Sequence, residues 1–151
     1  MDEAKRVIER LIAEKKTLVT AESCTGGLLG KLLTDVAGAS QVYLGGVISY
    51  AYALKERLLG VDAVLLEEKG AVCEEVAIAM AKGARERLNA DYALAVTGNA
   101  GPGTDAKNPN VGEIFVALAD AYGTQCKKLN LTGNREENRL ATCLAALEMI
   151  V

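Results

Sequence analysis

Apolar residues recur along the chain at two spacings, and each spacing predicts one kind of element. Helical spacing, with one apolar face per helix, occurs in residues 2–16, 25–36, 52–59, 73–89 and 135–150. Short apolar runs of strand length occur in residues 17–22, 42–50, 92–97, 111–119 and 125–131. The pattern therefore predicts helices and strands, largely in alternation, within a single domain over residues 1–151.

Strands separated by helices are typical of a sheet that is covered by helices on both faces. Residues 121–123 are a short connection between the last two strands, which favours a hairpin and therefore one antiparallel strand. We accordingly expect an α/β fold, a three-layer α/β/α sandwich with a mixed, mostly parallel sheet. The sequence contains neither an internal repeat nor an interdomain linker.

Charge and hydropathy argue against several classes of partner. The formal net charge is −3 and the sequence pI is about 5.1, which disfavours nonspecific binding to nucleic acid. No apolar run approaches the roughly 18 residues that a membrane span requires. The charged residues 1–6 lack the apolar core of a signal peptide. We therefore expect a cytoplasmic protein with neither a nucleic-acid nor a membrane partner.

The chain has four cysteines and no histidine. The cysteines are widely spaced and form no C-x-x-C pair, so we expect free thiols and no metal site. The absence of histidine also restricts catalysis. A serine nucleophile in this chain must be activated by a lysine, a tyrosine or a carboxylate.

The junction after the first predicted strand carries the strongest chemical signal. Ser23 follows this strand and precedes Thr25, Gly26 and Gly27, whose backbone N–H groups are suited to an oxyanion or a phosphate. Ser23 is a candidate nucleophile, although serine is also a preferred cap for a following helix. Cys24 is a rival nucleophile, since the start of a helix lowers the pKa of a thiol. Cysteine hydrolases, however, usually need a histidine partner.

Tyr50 and Lys55 form a second candidate group. Tyr50 lies at a predicted strand end and Lys55 one helical turn later, so we expect both side chains to face one pocket. Lys55 is a candidate general base if burial or neighbouring positive charge lowers its pKa from about 10.4. The alternative is a lysine exposed at the surface, which is the usual place of this residue type.

Two later segments are candidates for substrate binding. Residues 97–103 follow a buried strand and are rich in glycine, as in a ligand-binding turn, with a purely structural turn as the alternative. The candidate contacts in this segment are Thr97, Gly98, Gly101 and Gly103. Arg135 and Arg139 share one face at the head of the last helix, where they suit a phosphate or a carboxylate. A solvated charged turn is the alternative for this pair.

Four motifs, in their order along the chain, closely resemble the CinA C-terminal domain family. They are Ala21–Gly27 (AESCTGG), Gly45–Tyr50 (GGVISY) with Lys55, Ala95–Gly103 (AVTGNAGPG), and Gly133–Arg135 with Arg139. They cover nearly the whole chain, and the first and third together are highly specific. The resemblance implies a mixed α/β/α fold, no metal and no cofactor. Since no further domain precedes the motifs, it also implies a stand-alone enzyme.

The resemblance further implies an activity, nicotinamide mononucleotide (NMN) amidohydrolase or PncC, which converts NMN to nicotinate mononucleotide and ammonia. It implies Ser23 as the nucleophile and Tyr50 and Lys55 as its activating partners. Substrate-site elements are implied for Thr97, residues 98–103, and one of Arg135 and Arg139. Backbone N–H groups near residues 24–27 or 98–103 would stabilise the oxyanion. The implied partner is the small molecule NMN; a homodimer is compatible with a small member, although no sequence feature specifies one.

Departures from the family pattern lie at the expected rim of the pocket. Asn99 stands in place of an aliphatic residue, Tyr52 and Leu54 replace smaller or polar residues, and residues 104–110 lack the usual glycine-rich pattern. These departures bear on substrate preference rather than on the chemistry. Two alternative functions follow from the residues. One is a non-catalytic nucleotide-binding or interaction module related to competence or DNA damage, and the other is an amidase that acts through Cys24.

Overall fold

A computed structural model describes residues 2–150 of the chain. Its helices are α1 (Asp2–Glu14), α2 (Leu28–Thr34), α3 (Tyr52–Leu59), α4 (Ala63–Lys69), α5 (Glu74–Arg87) and α6 (Arg135–Glu148). Its strands are β1 (Leu18–Glu22), β2 (Tyr43–Ile48), β3 (Tyr92–Gly98), β4 (Glu113–Asp120) and β5 (Gly123–Asn130). A short 3₁₀ turn, Ala39–Gln41, precedes β2. No helix in this described part is both long enough and apolar enough to cross a membrane.

The strands form one sheet in the order β2-β1-β3-β4-β5. Strand β1 pairs in parallel with both β2 and β3, whereas β4 pairs antiparallel with both β3 and β5. Among the described strands, β4 alone therefore runs against the others. This topology confirms the mixed, mostly parallel sheet and the hairpin that the sequence predicts between the last two strands.

Helices cover both faces of the sheet, which confirms the predicted three-layer fold. On one face, α1, α2 and α6 bury apolar side chains such as Leu11 and Leu147. On the other face, α3, α4 and α5 contribute residues such as Leu59 and Met80. Burying each of these side chains fully contributes roughly 1.5–3 kcal/mol, so the two apolar layers hold the sheet and its strand ends in place.

Helix α4 is the described helix that the apolar pattern did not predict. Among its seven residues only Leu66 is fully buried, so its periodic signal is too short to recognise. The Asp62 side chain caps the helix by accepting a hydrogen bond of 2.9 Å from the Val64 N–H. After α4 the chain continues through Ala71 and Val72, which reach the candidate site.

Helix α2 begins at Leu28, later than the predicted start at residue 25. The reason is local backbone geometry, because Gly26 and Gly27 have φ values of 56° and 106°. These left-handed conformations favour glycine and do not belong to a right-handed helix. The residues between β1 and α2 therefore form a separate turn.

The topology determines where the candidate residues meet. Strands β1, β2 and β3 are mutually parallel, so their carboxyl ends lie at one edge of the sheet. Ser23 follows β1, Ser49 and Tyr50 follow β2, and Asn99 follows β3. In sheets of this type, ligands bind outside the carboxyl ends of the strands.

Candidate active site

A cavity of about 310 Å³ opens at this edge of the sheet. Its volume lies at the lower end of the range for small-molecule sites. The predicted site residues that line it are Ser23, Tyr50, Lys55, Thr97, Gly98, Gly103 and Arg135. The predicted site residues outside its lining are Thr25, Gly26, Gly27, Gly101 and Arg139. All four sequence motifs thus contribute residues to the cavity, the fourth through Arg135.

Lys55 contacts Ser23 directly. Its Nζ donates hydrogen bonds to Ser23 Oγ at 2.8 Å and to the carbonyl oxygens of Ser49 and Tyr50 at 2.6 and 3.1 Å. The Lys55 side chain is fully buried, with 0% of its residue surface exposed. The alternative of a lysine exposed at the surface is therefore wrong. Helix α3 instead directs this side chain into the site from its first turns.

Burial changes the acid–base chemistry of Lys55. Loss of hydration disfavours the ammonium form and lowers the pKa of Lys55 from 10.5 to about 8. Within residues 2–150 no carboxylate forms an ion pair with it. About a tenth of the amine is then neutral at pH 7, which is enough for a general base.

Glu22 organises the turn that follows Ser23. Its buried carboxylate accepts hydrogen bonds from Thr25 Oγ1 at 2.7 Å and from the N–H groups of Gly27, Leu29 and Gly30 at 3.1, 2.9 and 3.0 Å. The start of α2 is thus satisfied by a side chain of the protein itself. The sequence predicted that these N–H groups would bind an oxyanion or a phosphate, but three of them donate to Glu22 instead.

Glu22→Gln is expected to lower the free energy of unfolding by about 2–3 kcal/mol, because hydrogen bonds to a buried carboxylate are among the stronger ones. The amide keeps one acceptor oxygen and places an NH₂ group against backbone donors. Urea denaturation measures the effect. The matched control is Glu56→Gln, since Glu56 is exposed and makes no side-chain hydrogen bond or ion pair within residues 2–150. Equal stability of the two variants would contradict this role of Glu22.

Cys24 is poorly suited to be a nucleophile. Its side chain belongs to the apolar layer under α2 and α6, and only 6% of the residue is exposed. Burial raises the pKa of the Cys24 thiol to about 12, so the reactive thiolate is scarce near neutral pH. The helix start does not offset this effect. Cys24 thus lines the cavity beside Ser23, but Lys55 donates to Ser23 Oγ, whereas the Cys24 side chain packs in the apolar layer.

Tyr50 lies at the mouth of the cavity. The residue is 62% exposed, and its hydroxyl accepts a long hydrogen bond of 3.4 Å from Arg135 Nη2. Only its backbone carbonyl contacts Lys55. Arg135 also donates to the Gly101 carbonyl at 2.8 Å through Nη1. Tyr50 and Arg135 therefore form one rim of the cavity, and Lys55 reaches Ser23 without the phenol as an intermediary.

Arg139 lies outside the cavity and binds the turn that connects β1 to α2. Its Nε donates to the Cys24 carbonyl at 3.0 Å and its Nη2 to the Thr25 carbonyl at 2.8 Å. Arg135 and Arg139, which the sequence could not distinguish, thus have different positions. Arg135 is the one that lines the cavity.

Asn99 organises the loop between β3 and β4. Its Nδ2 donates to the carbonyl oxygens of Asn108 and Asn110 at 3.1 Å each, and its Oδ1 accepts from the Asp105 N–H at 2.8 Å. Thr97, just before it, donates to the Ala71 carbonyl at 2.8 Å. The asparagine that departs from the family pattern thus shapes the cavity wall.

Tyr52 and Asp105 are cavity residues that the predicted site did not include. The Tyr52 hydroxyl donates to Asp105 Oδ1 at 2.6 Å, although the two residues are far apart in the sequence. No spacing rule predicts such a contact. The available signal was that both positions lie in segments that depart from the family pattern.

The described residues contain no group of three acidic, cysteine or histidine side chains arranged to hold a metal ion. The polar groups of the cavity are hydroxyl, amide, amine, carboxylate and guanidinium groups, which suit an organic ligand.

Comparisons with known proteins identify one family over the length of the chain. A profile described as the CinA C-terminal domain matches residues 2–151. A CinA-like protein of Geobacter sulfurreducens is 49% identical over 144 residues, which cover 95% of this chain and 35% of that protein. A CinA-like protein of Geotalea daltonii is 53% identical over 135 residues, covering 89% and 32%. The chain thus spans about a third of the length of these curated relatives.

Two solved structures are similar over almost the whole chain. The competence/damage inducible protein CihA from Agrobacterium tumefaciens aligns with a TM-score of 0.94 at 39% identity, covering 99% of this chain and 92% of that one. A competence-damaged protein (CinA) superfamily protein from Escherichia coli aligns with a TM-score of 0.94 at 31% identity, covering 98% and 86%.

Proposed function

The chain belongs to the CinA C-terminal domain family, and from this premise we propose that it is an NMN amidohydrolase acting through a serine–lysine pair. The reaction converts NMN and water to nicotinate mononucleotide and ammonia, a step of the pyridine nucleotide cycle in NAD metabolism. The observation that carries the proposal is the 2.8 Å contact between buried Lys55 Nζ and Ser23 Oγ inside the cavity. This pair explains how an amidase operates in a chain without histidine.

The surroundings of Lys55 favour its role as a general base. A neutral amine has two N–H bonds and one lone pair. The carbonyl oxygens of Ser49 and Tyr50 accept two hydrogen bonds from Nζ. The contact with Ser23 reverses on deprotonation: the ammonium donates to Ser23 Oγ, whereas in the neutral amine both N–H bonds are held by these carbonyls and the lone pair accepts from the Ser23 hydroxyl. The two carbonyls thereby orient the base without charging it.

Catalysis by this pair proceeds in two halves. Ser23 Oγ attacks the carboxamide carbon of NMN as Lys55 takes the hydroxyl proton, which forms a tetrahedral oxyanion. The C–N bond then breaks, Lys55 returns the proton to the leaving nitrogen, and ammonia departs from an acyl-enzyme. Water, deprotonated by Lys55, attacks the ester, and Lys55 returns that proton to Ser23 Oγ as the ester bond breaks, which releases nicotinate mononucleotide and restores the pair.

Backbone N–H groups beside Ser23 are available to the oxyanion. The Gly26 N–H donates to the Ser23 carbonyl at 3.1 Å, and that of Gly27 donates to Glu22. Within residues 2–150, the N–H groups of Cys24 and Thr25 have no such acceptor. Loss of one oxyanion donor typically costs about 3–4 kcal/mol in the barrier. The Cys24 N–H, next to the nucleophile, is the proposed principal donor.

Arg135 is the proposed partner of the 5′-phosphate. It lines the cavity mouth and forms no ion pair within residues 2–150, so its guanidinium is available to pair with an anionic ligand. Guanidinium groups bind phosphate oxygens in a bidentate geometry.

The direct test is release of ammonia from NMN by the purified protein, with nicotinate mononucleotide identified by mass spectrometry. The proposal expects turnover without added metal or cofactor. Protein that is folded by circular dichroism but releases no ammonia would overturn the proposal and favour the non-catalytic binding module. Parallel assays with nicotinamide and nicotinamide riboside would measure the dependence on the phosphate.

The activity is expected to rise with pH and to level off above about pH 8, because burial lowers the pKa of Lys55 to about 8 and the neutral amine is the active form. Below that pKa, kcat/KM should fall about tenfold for each pH unit. Initial rates of ammonia release between about pH 6 and pH 9 measure this limb. A profile that is flat or falls across this range would contradict Lys55 as the base.

A further inference from the structure

Besides Lys55, two charged side chains of opposite sign line the cavity, Asp105 and Arg135. Neither forms an ion pair within residues 2–150. The Arg135 guanidinium contacts a carbonyl and a tyrosine hydroxyl, both of which are neutral. A cavity whose carboxylate and guanidinium are not paired with each other is complementary to a ligand that carries both a cation and an anion.

The Asp105 carboxylate is held in place by neutral donors. Its Oδ1 accepts a short hydrogen bond of 2.6 Å from the Tyr52 hydroxyl. Its Oδ2 lies 3.4 Å from the N–H groups of Ala71 and Lys107, and its own N–H is bound by Asn99. Burial, together with the hydrogen bond to Asp105, raises the pKa of Tyr52 to about 12, so the phenol stays a donor. The carboxylate is thus positioned by neutral donors, and it acts on the Lys55 ammonium only at a distance, without an ion pair within residues 2–150.

We propose that Asp105 is a specificity-determining residue, which makes this cavity select a cationic pyridinium ring over a neutral ring of the same shape. The inference rests on the proposed function. With the carboxamide at Ser23 and the phosphate at Arg135, the ring of NMN lies in the part of the cavity that Tyr52 and Asp105 border. A carboxylate in a partly desolvated wall attracts a cationic ring and gains nothing from a neutral one.

A comparison of NMN with reduced NMN tests the effect of the ring's positive charge on binding. Reduced NMN keeps the carboxamide, both ribose hydroxyls and the phosphate of NMN, but its dihydropyridine ring is neutral. A carboxylate that instead accepts hydrogen bonds from the ribose would therefore bind both nucleotides equally well. The ratio of the two dissociation constants separates recognition of the ring charge from recognition of the sugar.

The experiment measures dissociation constants of NMN and reduced NMN by titration calorimetry, in Ser23→Ala protein so that NMN stays intact. Ser23→Ala is expected to bind NMN about tenfold more tightly than reduced NMN, as one partly screened charge pair predicts. Adding Asp105→Asn is expected to abolish this ratio by weakening NMN alone. The matched control adds Glu56→Gln, which makes the same change of charge on α3 outside the cavity and should preserve the ratio.

Each outcome has one meaning. An unchanged ratio in the Asp105→Asn protein, or equal weakening of both nucleotides, would overturn this inference and leave the proposed function intact. Failure of the Ser23→Ala protein to bind NMN, with no turnover by the wild type, would overturn both. Asp105→Glu keeps the charge and is expected to retain the preference for NMN, which separates loss of charge from disturbance of the loop.

Discussion

Ser23→Ala is expected to lower kcat for ammonia release from NMN by about 10⁴-fold or more, the size of effect that follows loss of a catalytic serine. Within residues 2–150, Lys55 Nζ hydrogen-bonds to one hydroxyl, Ser23 Oγ, and to two carbonyl oxygens. Deleting Ser23 Oγ removes both the attacking atom and the acyl-enzyme. Rapid quenching with NMN, followed by mass spectrometry of peptides that contain Ser23, should detect the ester in the wild type alone.

Cys24→Ala is the matched variant for the rival nucleophile. It is expected to retain activity within about tenfold of the wild type, because the thiol is packed in the core and the backbone N–H is unchanged. Iodoacetamide should likewise leave the wild type active. A Ser23→Ala protein with full activity, or a folded Cys24→Ala protein without activity, would assign the chemistry to the cysteine.

Lys55→Met is expected to lower kcat/KM for NMN by about 10³-fold or more, because it removes the amine that contacts Ser23 Oγ while keeping an unbranched side chain of similar length. Its remaining activity should lose the rise toward pH 8 that the wild type has, since no group of that pKa remains at the nucleophile. Steady-state assays across the pH range measure both effects.

Lys55→Met has two opposing effects on the free energy of unfolding. The Ser49 and Tyr50 carbonyls each lose a donor, at about 1–3 kcal/mol for an unsatisfied buried group. Removal of a buried ammonium offsets part of this cost. The control is Lys82→Met, because Lys82 is exposed on α5 outside the cavity. Wild-type activity in a folded Lys55→Met protein would exclude the serine–lysine mechanism.

Periodicity was sufficient for elements that bury one long face. Helices α5 and α6 each span 14 residues and repeat their apolar positions, so the pattern identified them without knowledge of their neighbours. The start of α6 also follows a recognisable sequence pattern, because Asn134 and Glu137, three residues apart, form a capping box. The pattern did not predict helix α4, because a short helix with one buried leucine has no repeat of apolar positions to recognise.

The order of the motifs was sufficient to bring most candidate residues to one edge of the sheet. Ser23 and Thr97 each lie at the end of a predicted strand, and the ends of parallel strands meet. The sequence favours Ser23 over Cys24, because the chain has no histidine to serve a cysteine nucleophile. The structure adds the contact between Lys55 Nζ and Ser23 Oγ and the burial of the Cys24 side chain, and the choice of Ser23 stays a prediction.

Local pattern therefore accounts for the strands, the longer helices and the candidate reactive residues, since these depend on residues close together in the chain. Contacts across the fold account for the rest. The pKa of Lys55 is lowered because packing removes water from its amine, and the Tyr52–Asp105 contact joins the first residue of α3 to the loop between β3 and β4. Burial and the meeting of distant segments are properties of the folded chain, and no spacing along the sequence encodes them.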